Sequence, residues 1–305
     1  MTATPIFTGV YPFLATPFTK DDQVDTVRLK SHIDDLIRNG KVHGVTALGS
    51  TGEFALMSES ERQVVAEATV DAVKKRVPAV IHTAAIATKV AVALSKHAQR
   101  IGADAIIVNP QSYWLPTEDE LFDHYAAIAR AVDIPVMVYN NPGTTKIDMS
   151  PKFIARLNKE FSHFISVKES SGDIRRVQNI LQLTDGRMSV SIGHQSLGLA
   201  AFAVGATGWT TGIANTIPTL CVEVYEQAVV NRDLEKARKA FYRMLPLCDF
   251  YAEKSLCRSA KAAAEIMDKP LGAPRLPLQR LSAKDYKTLE GLLVECGVMK
   301  QKVAA

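Results

Sequence analysis

The chain reads as an α/β protein: a (β/α)8 TIM barrel followed by a C-terminal helical extension. Eight short apolar runs recur before about residue 215, amphipathic segments separate them, and no Gly-x-Gly-x-x-Gly opens the first helix. Runs without polar alternation suit parallel strands buried on both faces. Parallel neighbours need crossovers of helical length. The missing dinucleotide-binding loop weighs against an open, doubly wound sheet.

The eight runs are Gly9–Leu14, Gly44–Leu48, Ala79–His82, Ala105–Val108, Val136–Tyr139, Phe164–Val167, Met188–Ile192 and Gly205–Thr210. Between them, Leu29, Ile33 and Leu36 recur at helical spacing, as do Val90, Leu94 and Ile101. Leu121, Tyr125, Ile128 and Val132 form the cleanest stripe, and Asn39-Gly40, Gly102, Pro135 and Gly186 punctuate the units. From Ile217 onward strand signals stop. Val222–Val230, Leu234–Leu245, Ser255–Met267 and Ala283–Cys296 read as helices, and the proline-rich stretch from Lys269 to Leu278 as an ordered, irregular linker. The expected division is a barrel over residues 1–231 carrying the site and a helical region over 232–305 packed on it. A separate domain is the alternative, but a unit of roughly 75 residues is marginal as an independent folder.

With 305 residues, 47% hydrophobic and 22% charged, the chain has an ordinary soluble globular balance and enough apolar material for a large core. Net charge is +4 without any basic tract, so no nucleic-acid or membrane partner is expected; a small anionic substrate fits. The four cysteines, Cys221, Cys248, Cys257 and Cys296, form no Cys-x-x-Cys pair and read as reduced, structural thiols. The N-terminus lacks a charged segment leading into a long apolar run, and no 18-residue apolar stretch occurs, so a cytoplasmic location is expected. No His, Asp or Glu pair shows metal-ligand spacing and no Gly-x-Ser-x-Gly occurs; no metal or cofactor is expected.

Barrel enzymes place their reactive groups at the C-terminal ends of strands. Lys168 closes the run Phe164-Ile165-Ser166-Val167, so its stem should emerge from packed interior. Desolvation disfavours an ammonium, and a neutral amine condenses with a ketone to give an iminium that draws electrons from the neighbouring carbon. The competing reading is a lysine paired with a carboxylate or snorkelling to solvent. The turn Gly49-Ser50-Thr51-Gly52 offers backbone N–H groups and two hydroxyls suited to a carboxylate, although Ser and Thr between glycines also serve plain turns. Tyr139, ending its strand, is placed to relay protons or to hydrogen-bond an imine adduct; otherwise it is a rim aromatic with a local partner. His194 reads either as a contact to a substrate hydroxyl or as a structural side chain.

Together these segments resemble the dihydrodipicolinate synthase / N-acetylneuraminate lyase family of Schiff-base-forming pyruvate aldolases. The turn at 49–53, Tyr139-Asn140-Asn141-Pro142, and Lys168-Glu169 followed by Ser171-Gly172-Asp173 carry the likeness, which runs from Gly9-Val10-Tyr11-Pro12 to Arg275-Leu276-Pro277-Leu278. The resemblance implies that Lys168 forms the imine, that Tyr139 shuttles protons with Ser50 in its hydroxyl relay, and that Thr51, with nearby amides, binds the keto acid's carboxylate. It also implies a homotetramer, a dimer of tight dimers, in which Tyr113 on the loop after the fourth strand crosses into the neighbour's site; Ser112 is the other residue that fits that place. True synthases carry an arginine two residues past the Tyr-Asn-x-Pro proline, and here that residue is Thr144. A neutral side chain cannot replace a bidentate carboxylate clamp. Thr144, Thr210 and Thr211 point instead to a hydroxyl-lined site. The expected function is therefore a lyase acting on a 2-keto acid, of pyruvate or 2-keto-3-deoxy sugar-acid type, by aldol cleavage, condensation or dehydration. A deaminase of a cyclic imino acid fits the same site. Dihydrodipicolinate synthase itself is the alternative, and a non-catalytic keto-acid-binding paralogue is the alternative of another class.

Overall fold

The computed structural model describes residues 6–111 and 113–300. Eight parallel strands form one sheet: β1 (Gly9–Pro12), β2 (Val45–Ala47), β3 (Ala79–His82), β4 (Ala105–Val108), β5 (Val136–Asn140), β6 (Phe164–Glu169), β7 (Ser189–Ile192) and β8 (Gly208–Thr211). Their order is β1-β8-β7-β6-β5-β4-β3-β2. The ring closes where Phe13 bridges Thr46 and the Leu14 amide donates to the Thr46 carbonyl at 2.8 Å. All eight expected runs become strands. β6 continues two residues beyond the apolar run, which puts Lys168 inside the strand rather than after it.

Alternation along each strand divides its side chains between two compartments. Outward residues such as Ile106, Val138 and Val167 pack against the helices, and the stripe of Leu121, Tyr125 and Ile128 is buried on them as its spacing requires. Inward residues fill the ring, with Tyr11, Phe13, Val80, Ile107 and Met137 on one side. The opposite side is polar: Ser189 donates to Ser166 and Ser191 pairs with Thr210, both at 2.8 Å.

The C-terminal helices span Pro218–Tyr225, extended by a π turn, Leu234–Lys254, Leu256–Ile266 and Ala283–Glu295. The second continues nine residues past its expected end and carries Pro246 in its interior. The carbonyl left without its helical donor by that proline belongs to Tyr242, whose side chain lies on the exposed face of the helix. Buried Met244, Leu247, Cys248 and Tyr251 keep the apolar stripe on the barrel through the interruption. Among the described residues no helix is long and apolar enough to cross a membrane. The four cysteines are buried and unpaired.

Candidate active site

The register of β5 and β6 sets Tyr139 beside Lys168 on the inner face, and Asn140 beside Glu169 on the outer face. The outer pair is tied off. Glu169 accepts from Arg176 Nε at 2.9 Å and from the Ser171 amide at 2.7 Å, while Asn140 Nδ2 donates to Asp148 at 3.0 Å and to Glu169 at 3.3 Å. The acid next to the lysine in sequence is thereby held away from its amine.

Lys168 is 3% exposed. Its Nζ lies 3.7 Å from the centre of the Phe13 ring and 4.0 Å from that of Tyr139. Aromatic faces favour a cation, but the loss of hydration outweighs them, and burial holds the amine well below the usual lysine range. Other cations nearby are suppressed as well. His82, beneath Phe13, is pushed down to about 3 by burial, with the Arg62 charge adding to the effect. The alternatives of a carboxylate-locked or solvent-directed lysine both fail.

Burial pushes the Tyr139 phenol up to about 12, against the opposing pull of the Ser50, Ser170 and Asn141 side chains. It is therefore protonated at neutral pH, and its oxygen accepts from Asn141 Nδ2 at 3.0 Å. The turn at 49–53 is wound so that the Gly52 amide reaches Gly49 O at 2.9 Å and the Glu53 amide reaches Ser50 O at 3.3 Å. The Ser50 and Thr51 amides take no acceptor among the described residues. Thr51 is fully buried, with its hydroxyl unpartnered. Unmatched donors in a largely buried turn are suited to an anion. Both glycines are required by close approach: a Cβ on Gly49 would lie 1.9 Å from the Phe13 ring, and one on Gly52 would lie 2.8 Å from Leu14 O.

Glu53, left-handed at φ 61°, anchors this turn to the C-terminal region. Its carboxylate meets Lys261 Nζ at 2.6 Å and accepts the Arg275 amide at 2.7 Å, and both charged side chains of the Glu53–Lys261 pair are buried. The linker expected to be ordered is indeed built into the barrel.

A cavity of about 350 Å³ opens over Lys168. Ser50, Tyr139, Thr144, Lys168 and His194 line it. Burial lowers the His194 imidazole, with Asp249 partly opposing, and its Nδ1 is unpartnered. Thr51, Gly49 and Gly52 lie behind Ser50; a Cβ on Gly212, at the cavity wall, would stand 2.7 Å from Thr51 Oγ1. Those three do not line the cavity themselves, and two further expected site residues are absent from its wall. Thr210 is engaged with Ser191 inside the ring and does not line the cavity. Tyr113 is 83% exposed, stacked edge-on to Trp114, and stays out of its own chain's cavity; Ser112 lies outside the described residues. The inward position of Thr210 was legible from alternation, but its depth below the rim was not.

The remaining walls went unanticipated. Ser170 and Gly193 flank the lysine stem, and Tyr251, Ser255, Leu256 and Cys257 descend from the C-terminal helices. A long-range contact of that kind leaves no local periodicity, whereas Ser170, two residues after Lys168 on the same face, was signalled by alternation alone.

Residues 6–295 match the model of the dihydrodipicolinate synthetase family. The chain belongs to that family. A 4-hydroxy-tetrahydrodipicolinate synthase of Methanocaldococcus jannaschii is 34% identical over 294 residues, covering 96% of this chain and 100% of that one. A Pseudomonas aeruginosa protein provisionally assigned as a dihydrodipicolinate synthetase is 42% identical, with a TM-score of 0.92 over 95% of this chain and 99% of that one. YagE, an Escherichia coli K12 prophage protein of the family solved with pyruvate, is 28% identical, with a TM-score of 0.92 over 96% and 100% of the two chains. The chain is accordingly a Schiff-base-type lyase of 2-keto acids. Further relatives, 30% to 36% identical, also carry the synthase name, which backs the synthase alternative better than the sugar-acid reading placed first on sequence.

Proposed function

We propose that the protein binds pyruvate, or a 2-keto acid ending in a pyruvyl unit, as an imine on Lys168 and makes or breaks the bond at the adjacent carbon. The observation that carries this is the buried, unpaired amine between Phe13 and Tyr139. The neutral amine adds to the ketone, and the carbonyl oxygen leaves as water on protons passed by the Tyr139 phenol. The iminium then accepts the electron pair released when the bond to the distal fragment breaks, giving an enamine; condensation runs the same steps backward. Thr51 and the free Ser50 and Thr51 amides hold the carboxylate.

The names of the relatives support condensation of pyruvate with aspartate semialdehyde. A specific observation favours a second reading: Thr144 lines the cavity where the synthases carry arginine, and among the lining residues only Lys168 and His194 bear basic groups. A hydroxylated, uncharged distal portion suits that wall. Steady-state turnover of pyruvate with aspartate semialdehyde, set beside cleavage of 2-keto-3-deoxy acids, separates the two. Efficient condensation unchanged by Thr144→Ala supports the synthase; weak condensation strengthened by Thr144→Arg, with faster sugar-acid turnover by the parent, supports the second.

Assembly as a homotetramer in the cytoplasm belongs to the same proposal. Tyr113, Trp114 and Leu115 are consecutive and exposed on the loop after β4, an apolar patch suited to a second copy. Size-exclusion chromatography with light scattering tests it, and a monomeric mass at micromolar concentration counts against it.

A further inference from the structure

Ser255 sits at the break between the helices Leu234–Lys254 and Leu256–Ile266, with φ 89° and ψ 128°. Other non-glycine residues with positive φ, such as Glu53, Lys74 and Lys146, are ordinary left-handed positions with ψ of 29°, 40° and 11°. The backbone of Ser255 lies outside that basin, in a region that side chains with a Cβ avoid and glycine tolerates. A break made only to turn the chain would be served better by glycine. The residue present is a serine that lines the cavity over Lys168, and its hydroxyl makes no capping hydrogen bond to the helix it precedes. The neighbouring polar groups are engaged: Tyr251 Oη pairs with Thr216 Oγ1 at 2.6 Å, and Glu53, close to Cys257, is held by Lys261. Thr144 and His194 line the same cavity from the strand ends.

We propose that Ser255 is a specificity-determining residue, whose hydroxyl hydrogen-bonds an oxygen on the distal carbons of the keto acid held at Lys168. The inference rests on the imine chemistry proposed above and holds for either reading of the distal fragment, because an aldol adduct carries a hydroxyl beyond the imine carbon in both. A contact of this kind disfavours a ligand lacking the oxygen, because the serine hydroxyl at the cavity wall then loses that partner. The strain is the cost of aiming the side chain into the cavity.

The test compares borohydride trapping of 4-hydroxy-2-oxopentanoate with that of 2-oxopentanoate, which lacks only the hydroxyl, in the parent, Ser255→Gly and Ser255→Ala. The parent is expected to trap the hydroxylated acid at a concentration at least about tenfold lower, with both variants losing that preference. Ser255→Gly relieves the backbone and should raise the melting temperature by about 2 °C, whereas Ser255→Ala should not. Stability and selectivity then move in opposite directions, which a purely structural residue would not produce. The inference is overturned if the parent shows no preference, or if either variant keeps it. Trapping of pyruvate by the parent is the control; its absence from the folded parent would remove the Lys168 reading and this one with it.

Discussion

Gly193 offers a sharp perturbation because it touches the lysine stem without taking part in the chemistry. A Cβ placed there would lie 2.6 Å from Lys168 Cε and 1.8 Å from Ser170 Oγ. The serine hydroxyl can rotate away. The lysine cannot, since its amine is held between the Phe13 and Tyr139 rings. Carbon atoms rest about 3.5–4.0 Å apart, so Gly193→Ala must shift Cε by about 1 Å. Displacement of a reacting group by that distance costs roughly 10²-fold, or about 2.7 kcal/mol in barrier. Overpacking should cost a further 1–3 kcal/mol or so of stability. The assay is the single-turnover rate of pyruvate trapping by borohydride, read by intact mass, with circular dichroism to confirm the fold. A folded Gly193→Ala variant trapping within threefold of the parent rate would refute the claim that the lysine is confined.

Thr51→Val removes the unpartnered hydroxyl while keeping the shape, and should raise KM for pyruvate about tenfold or more with little change in melting temperature; an unchanged KM would place the carboxylate elsewhere. Lys261→Met leaves Glu53 buried without its cation and should cost about 3–5 kcal/mol in urea unfolding, while Glu53→Gln combined with Lys261→Met should recover most of it. Lys168→Met tests the pKa through linkage. The folded amine titrates well below 10.5, so through the window between the two values the unfolded chain holds more protons and parent stability rises with pH. The variant should therefore be more stable than the parent near neutral pH, with the gap closing as pH approaches the usual lysine range. A gap that is constant or widens with pH contradicts the assignment.

The barrel was legible because strands buried on both faces appear as continuous apolar runs, and helices covering them as stripes of every third and fourth residue. Lys168 was legible for the same reason: a charge closing such a run has nowhere to go but the mouth of the ring. The inward faces of Tyr139, Ser50 and Thr144 follow from strand ends and the turns after them. What escaped depends on contacts distant in sequence. Nothing near residue 255 signals that it reaches the cavity, and the Glu53–Lys261 pair joins segments more than two hundred positions apart. Thr210 was misplaced because alternation gives the face of a residue but not its height in the ring. Pro246 hid the length of its helix, since an interior proline usually breaks or kinks one.

The central claim is a neutral, enclosed amine at position 168 that adds to a ketone. Its most direct test is incubation of the folded protein with pyruvate and borohydride, followed by peptide mapping. The expected result is one added group per chain on the Lys168 peptide, formed at a rate that levels off well below the pH at which free lysine ionises. Unmodified protein, or label on a surface lysine with the Lys168 peptide untouched, would contradict it.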